Sequence, residues 1–294
     1  MPDLSFCPLG HRALLTLGGT DRASFLQGLV SADVRRADGQ TALYGAFLTP
    51  QGKFLHDFFL AAADDRLLLE VERAGREDFR QRLSRFKLRA KIELAADEGW
   101  QVFALFGGDA AARFALKPHA GVACRWRDGL VMVDPRLAEA GLRAWLPAQD
   151  VAALADLGFT AADPAAWDAR RIALGLADGS RDLQPEKTLL LEAGFDELHG
   201  VDWQKGCFMG QEVTARSKYR GQIRKRLLPV RIDGPPPPPG TPILSGGQEA
   251  GEMRSHAGQI GLAMLRLEHC SPETILTAGQ ARLTPQPPAW MRNL

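Results

Sequence analysis

No two cysteines in this chain are close enough to make a Cys-x-x-Cys pair; the four lie at positions 7, 124, 207 and 270. Without such pairs, neither a zinc ribbon nor a local iron–sulfur ligand set can be read from the sequence. The six histidines are scattered in the same way. Thiols this thinly spread fit a reducing cytoplasm better than a disulfide framework, so a cytoplasmic location is the expectation. There is no apolar run of about 18 residues, which argues against a membrane span or a membrane partner. The residues from Met1 to Phe6 carry one acid and no basic stretch, so no export signal is expected. A strong excess of one charge is also missing. The formal net charge is +1, which gives no general argument for nucleic acid. Nor does a Gly-x-Gly-x-x-Gly follow any strand, as a nicotinamide cofactor site would need.

What is present is an ordinary globular composition, 45% hydrophobic and 24% charged over 294 residues. That length is near the size at which one core stops growing, so two or three structural units are expected. Leu14–Leu17 reads as a strand ended by Gly18-Gly19. Thr20 then serves as N-cap of a helix bearing Phe25, Leu26 and Leu29. Strands over 43–48 and 54–62 flank Thr49-Pro50-Gln51-Gly52-Lys53, a hairpin tip in which Pro50 fixes φ and Gly52 relieves the turn. A strand over 66–72, a helix over 76–88 with Phe79, Leu83 and Phe86 on one face, and strands at 92–94 and 100–106 follow. A short helix starts at Asp109. Strands over 122–126 and 130–133 flank Asp128-Gly129, a two-residue hairpin signal. Asp163-Pro164 opens a helix that stops at Gly175. Strands and helices without a strict βαβ rhythm give an α+β class. From Ile223 onward short strands separated by turn residues read as a small β-barrel, with the five prolines 235–239 in a surface loop between barrel strands.

One stretch carries chemistry: Lys205-Gly206-Cys207-Phe208-Met209-Gly210-Gln211-Glu212. Gly206 and Gly210 permit backbone angles closed to other residues, so the loop can bend tightly around Cys207. Lys205, two residues away, and a helix beginning after Gly210 would both favour a thiolate. The plain alternative is a small buried hydrophobe, the commonest fate of a free cysteine. Downstream, Arg216, Lys218, Arg220, Arg224, Lys225 and Arg226 form a basic cluster. It reads either as a solvated face or as a clamp for carboxylates or phosphates. No aromatic residues interleave to make a stacking platform for RNA.

Lys-Gly-Cys-aromatic-x-Gly-Gln-Glu is similar to the signature of the YgfZ family, folate-binding proteins related in fold to the glycine-cleavage T-protein, an aminomethyltransferase. Leu191-Glu192-Ala193-Gly194 and Ala215-Arg216-Ser217-Lys218-Tyr219-Arg220-Gly221 match as well. The resemblance runs from about Leu15 to Leu283 and is densest over 185–226. It implies a three-lobed T-protein-like fold, two α+β lobes and a C-terminal barrel around a central folate cavity. Residues 1–221 would form the folate-binding region and 222–294 the barrel. It implies tetrahydrofolate, or a one-carbon derivative, as ligand, and support of iron–sulfur cluster assembly or repair in target enzymes or with cluster carrier proteins. The alternative is a folate-dependent aminomethyl transferase. Cys207, Lys205 and Asp57 are then the candidates for chemistry. Glu192, Gly206, Gly210, Gln211, Glu212, Arg216 and Arg220 are the candidates for holding folate. Two departures stand out. Where T-proteins have paired aspartates after the glycine-rich hairpin, this chain has His56-Asp57. Where they carry Arg-x-Glu-Ala-Gly, it has Arg171-Ile172-Ala173-Leu174-Gly175, and Ala173 cannot accept a hydrogen bond from a pterin; Glu192 or another acid would have to do so. The gained cysteine and the lost glutamate favour YgfZ over a glycine-cleavage enzyme.

Overall fold

The strand Arg12–Gly18 is buried along its whole length because it lies inside a sheet covered on both faces. In a computed structural model of the chain, residues 3–221 and 223–291 are described. Gln222, where the sequence puts the start of the barrel region, and the outermost residues at both ends lie outside the described residues. In chain order the elements are β1 (Ser5–Pro8), β2 (Arg12–Gly18), α1 (Arg22–Gln27), β3 (Leu43–Leu48), β4 (Phe54–Ala63), β5 (Arg66–Glu72), α2 (Arg76–Ser84), β6 (Glu93–Asp97), β7 (Trp100–Phe106), β8 (Ala123–Trp126), β9 (Gly129–Val133), β10 (Leu142–Pro147), β11 (Thr160–Ala161), α3 (Pro164–Ala173) and α4 (Gln211–Tyr219). They continue as β12 (Lys225–Asp233), β13 (Pro242–Ser245), β14 (Gln248–Ala257), β15 (Ile260–Arg266), β16 (Leu276–Ala278) and β17 (Ala281–Pro285). By contacts the chain divides into two units. The first comprises the chain through Leu48, Leu55–Pro164 and Leu198–Met209; the second comprises Thr49–Phe54, Ala165–Glu197 and the chain from Gly210 on.

The first unit holds two sheets. One has the order β3-β4-β5-β2-β6 and the other β11-β1-β7-β10-β9-β8. Alternation along each strand sorts its residues to two faces. From β4, Phe58 and Leu60 join Leu15, Leu17, Leu26 of α1 and Phe79 and Leu83 of α2 in one apolar core. The second sheet sends Phe103, Leu105, Val131, Leu142 and Leu146 into a separate core with Leu154 and Phe159. The opposite parity carries charge. Glu70 of β5 accepts hydrogen bonds from Arg12 Nε (2.9 Å), Arg143 Nε (2.9 Å) and Trp145 Nε1 (2.8 Å). Asp134 pairs with Arg136 at 2.8 Å. All five charged residues are buried. The guanidiniums of Arg12, Arg136 and Arg143 surround the Phe59 ring, at 5.6, 5.0 and 3.8 Å from its centroid. Together with Asp57 this makes a network of three cations and three anions, tying strands of both sheets. Burial alone would raise the Glu70 carboxyl, but Arg143 and Arg12 hold it below its ordinary value.

In the second unit, β12-β15-β14-β13-β16-β17 closes into a barrel. Closure leaves no unpaired sheet edge. Its core is Leu228, Val230, Ile232, Ile243, Met253, Leu265, Leu276 and Leu283, with Trp290 packed beside it. The proline run lies between β12 and β13, outside both strands. No helix among the described residues is long and apolar enough to cross a membrane.

Several local expectations shift. The N-cap of α1 is Asp21, not Thr20, and no side chain caps the helix; the Asp21 carboxylate instead accepts the Lys91 N–H at 2.8 Å. Helix α2 stops at Ser84, and the chain runs on through turns in which Phe86 and Lys87 N–H donate to the carbonyls of Leu83 and Ser84. The segment after Asp109 is a single 3-10 turn, Ala111–Phe114. The β8–β9 turn is Arg127-Asp128, not Asp128-Gly129: Trp126 pairs with Gly129, and Arg127 takes φ 51°. Gly129 is needed inside the strand, because a Cβ there would lie 2.4 Å from the Trp145 carbonyl oxygen.

Candidate functional site

Helix α1 ends at Gln27, so its last carbonyls need donors. Lys205 supplies one for the last helical carbonyl, that of Gln27, and a second for Val30 just beyond the helix. Its Nζ donates to the carbonyl oxygens of Gln27 (2.5 Å) and Val30 (2.6 Å). Gln27 returns the contact: its Nε2 reaches the Lys205 carbonyl at 3.3 Å and Asp33 Oδ1 at 2.8 Å, while its Oε1 accepts the Val34 N–H at 2.9 Å. On the far side of the cysteine, the Met209 N–H donates to Gly28 O at 3.0 Å. The Phe208 ring sits 4.9 Å from the Lys205 ammonium. The loop is therefore fixed on both flanks, and Cys207 projects between them, exposed. Gly206 takes φ +89° with open space where a Cβ would stand, so conformation and not crowding calls for glycine there.

Lys205 is only 5% exposed. Burial pushes its ammonium down to about 8, with Asp33 and Asp202 pulling the other way. The other cysteines are placed differently. Cys7 and Cys270 are buried, and Cys124 is half-buried against the core of the second sheet. Burial pushes the Cys270 thiol up to about 11 and raises that of Cys124.

Asp57 lies in the buried ionic network, not on the thiol loop. Its carboxylate takes Arg12 Nη1 at 3.1 Å and the Tyr44 hydroxyl at 3.5 Å. Its neighbour His56 bonds Asp78 at 2.8 Å and stacks on Phe79.

The motif crosses from one unit to the other between Met209 and Gly210. In the second unit Gly210, at φ +81°, is the N-cap of α4, and Gln211 is its first residue. Glu212 sits in the first turn, where a carboxylate is favoured, and pairs with Arg216 four residues on at 2.9 Å. Glu192 Oε2 accepts the Leu189 N–H at 2.9 Å; burial raises its carboxyl, against that hydrogen bond and the charges of Lys53, Lys225 and Arg254. Ala173 ends α3. The basic cluster is partly used up internally. Lys218 pairs with Asp196 at 3.0 Å. Arg226 is buried, donating to Leu191 O at 2.8 Å and Glu197 at 2.5 Å. Arg220 and Arg224 remain exposed without side-chain partners among the described residues. No three His, Cys, Asp or Glu side chains among the described residues come together to hold a metal ion.

Sequence reasoning missed Gln27. It stands at the end of an amphipathic run that the apolar face of α1 accounts for, and only the carbonyl ends of that helix show why an amide is needed there.

An α+β region followed by a closed barrel, with a thiol on a fixed loop, defines a class. Residues 224–293 match the family described as the CAF17 C-terminal beta-barrel domain. The chain has the fold of the glycine cleavage system aminomethyltransferase T from Bartonella henselae, with a TM-score of 0.79 at 17% identity, covering 97% of this chain and 85% of that one. It is 32% identical to the mitochondrial iron–sulfur cluster assembly factor IBA57 homolog of Coccidioides immitis, over 91% of this chain and 72% of the relative. It is also 32% identical to the mitochondrial IBA57 of Homo sapiens, over 87% of this chain and 76% of that protein. The chain belongs to the family of the iron–sulfur cluster assembly factor IBA57. The names of these relatives overturn the cytoplasmic expectation and point to the mitochondrion instead. The error has a simple cause: scattered reduced thiols mark a reducing compartment, and the cytoplasm is not the only one.

Proposed function

We propose that this chain is a tetrahydrofolate-binding protein, akin to YgfZ, that supports iron–sulfur cluster assembly or repair in target enzymes, and that the Cys207 thiol is its acting group. The observation that carries the reading is that Cys207 alone among the four cysteines is exposed, on a loop fixed through Lys205 and Met209. The names of the IBA57 relatives support the iron–sulfur part. One thiol is too few to hold a cluster by itself. Cys207, as thiolate, would supply one iron ligand in a complex shared with a carrier protein or target enzyme, its proton passing to solvent.

The residues on offer fit a folate. Arg220 and Arg224 are uncommitted guanidiniums suited to carboxylates of a glutamate tail. Glu192 has Oε1 without a partner among the described residues, an acceptor for a pterin N–H that Ala173 cannot provide. We assign Gly210, Gln211, Glu212 and Arg216 to folate binding as helix-start residues of the second unit, and Gly206 as a loop residue of the first. Residues 1–221 would make up the folate-binding region and 222–294 the barrel. Aminomethyl transfer finds less support, because the one aspartate left after the hairpin, Asp57, is engaged by Arg12 and Tyr44.

The test is complementation of a deletion strain with wild type and Cys207→Ser, reading the activities of its iron–sulfur enzymes, alongside calorimetry with tetrahydrofolate. The reading expects binding in both proteins and restored activity only with wild type. Full complementation by Cys207→Ser would remove the thiol role, and absence of binding up to millimolar folate would remove the ligand.

A further inference from the structure

Leu88 is 91% exposed, and its backbone is held at φ 40°. A left-handed conformation is uncommon for a side chain of this kind and costs about 1–2 kcal/mol. Exposing the leucine gains nothing for the fold. Phe86, two residues earlier, is 41% exposed. Around them stand Arg85, Lys87, Arg89 and Lys91, all exposed, with no acid from Arg85 to Lys91. None of these four cations has a side-chain partner among the described residues, whereas Arg80 and Arg82 just before them pair with Glu77 and Asp78. The chain as a whole is near neutral at +1, so the loop is a local concentration of positive charge around an apolar knob.

The loop is joined to the thiol loop by a short run of contacts within the first unit. The Phe86 ring meets Phe47 edge-on at 6.5 Å. Phe47 bridges to Val30, and the Val30 carbonyl oxygen is one of the two that hold Lys205.

We propose that the segment Arg85–Lys91 is a docking surface for an acidic protein whose carboxylate-rimmed apolar socket receives Leu88, and that this partner is the one brought to Cys207. The inference rests on the thiol role proposed above. Charge complementarity selects an acidic partner and steers its encounter. A branched aliphatic knob selects a protein socket. A nucleic acid would call for stacking rings, and Phe86, the aromatic in the segment, already lies against Phe47. An anionic membrane would call for a longer amphipathic face than two apolar residues provide.

The test uses the full chain. A photoreactive benzoylphenylalanine is introduced at Leu88 and, as a control, at Ile275, another exposed apolar residue. Cells are irradiated and protein adducts identified by mass. The proposal expects an adduct at 88 and none at 275 with a protein of acidic sequence. That protein, purified without its cluster, should bind the wild-type chain with an affinity that falls as salt rises. It should bind the Lys87→Glu/Arg89→Glu variant about tenfold or more weakly, with Leu88→Ala also weakened. No adduct specific to 88, or binding indifferent to charge reversal, would overturn it. So would binding of phosphatidylserine vesicles or a short RNA through the same residues in place of a protein. Cys207→Ser separates this proposal from the one beneath it. If the partner docks and Cys207→Ser still restores the iron–sulfur enzymes, the thiol role falls while the docking surface stands; if docking fails while Cys207→Ser is inactive, the reverse holds.

Discussion

The Lys205 ammonium lies 2.5 Å from the carbonyl oxygen of Gln27, the last residue of α1, so the lysine nearest the thiol closes the end of a helix. That single contact makes the loop's chemistry depend on its packing. Removing the donor in Lys205→Met leaves the Gln27 and Val30 carbonyls unsatisfied, at an expected cost of about 2 kcal/mol in urea unfolding. The effect should also depend on pH. The unfolded chain keeps this proton up to 10.5, the folded chain only to about 8. Between those values the unfolded state binds more protons, so raising pH favours the folded state by about 1 kcal/mol per unit from this group. A neutral amine still donates to both carbonyls, so the loop stays closed. Unfolding of wild type and Lys205→Met at pH 7 and pH 9.5 should show the gap widening at the higher pH. A constant gap would mean that the lysine titrates normally.

Cysteine burial gives a second expectation. Iodoacetamide added to the native protein should modify one thiol quickly, and peptide mapping should place it at Cys207. Cys7 and Cys270 are buried and should react only on unfolding, while half-buried Cys124, its thiol raised by burial, should react more slowly than Cys207. Cys207→Ser should abolish the fast phase with little change in unfolding midpoint, because the side chain projects from its loop. A fast phase that survives the substitution would move the reactive thiol elsewhere.

Much of this was legible in the sequence. Alternation gave the strands, the change of pattern after Ile223 gave the barrel, and the two glycines gave the bent thiol loop, with Gly206 and Gly210 both at positive φ. What was not legible depends on partners distant in the chain. Lys205 read as a charge beside a thiol, because nothing local reveals carbonyls more than 170 residues away. The basic cluster read as one patch until Asp196 and Glu197 were seen to take Lys218 and Arg226. Nothing in the sequence marked Arg12, Glu70 and Arg143 as buried, since a second sheet that buries both sides of a strand leaves no mark on the strand's own alternation.

That buried network should dominate acid sensitivity. Glu70→Gln removes one anion from a set in which Arg12 and Arg143 are both buried, and the uncompensated charge should cost about 3–5 kcal/mol. Arginines hold the Glu70 and Asp134 carboxyls below their ordinary values of 4.5 and 3.8 despite burial. Their stabilising contribution is therefore complete above the ordinary range and is lost as pH falls through the lower, folded values. Wild type should lose stability steeply in that range, and Glu70→Gln less steeply from a lower starting point. Parallel pH profiles would show that Glu70 does not titrate with folding.

The exposed guanidiniums at the end of α4 and just beyond give the last expectation. Arg220 and Arg224 have no side-chain partners among the described residues, whereas Arg216 is shared with Glu212 at 2.9 Å. If they meet the tail of a bound folate, each added glutamate brings a carboxylate into their field. The wild-type chain should then bind polyglutamylated tetrahydrofolate more tightly than the monoglutamate, by about fivefold to tenfold at low ionic strength, the scale of one or two exposed charge pairs. Because both guanidiniums are in solvent, the advantage should shrink as salt approaches about 0.5 M, where the screening length falls to a few ångströms. Arg220→Ala/Arg224→Ala should bind the two forms equally, both more weakly than wild type through loss of the tail contacts, while the pterin acceptor assigned to Glu192 keeps some binding in place. Calorimetry with both ligands at two salt concentrations separates the outcomes. Equal affinities for wild type at low salt would show that these cations face something other than folate.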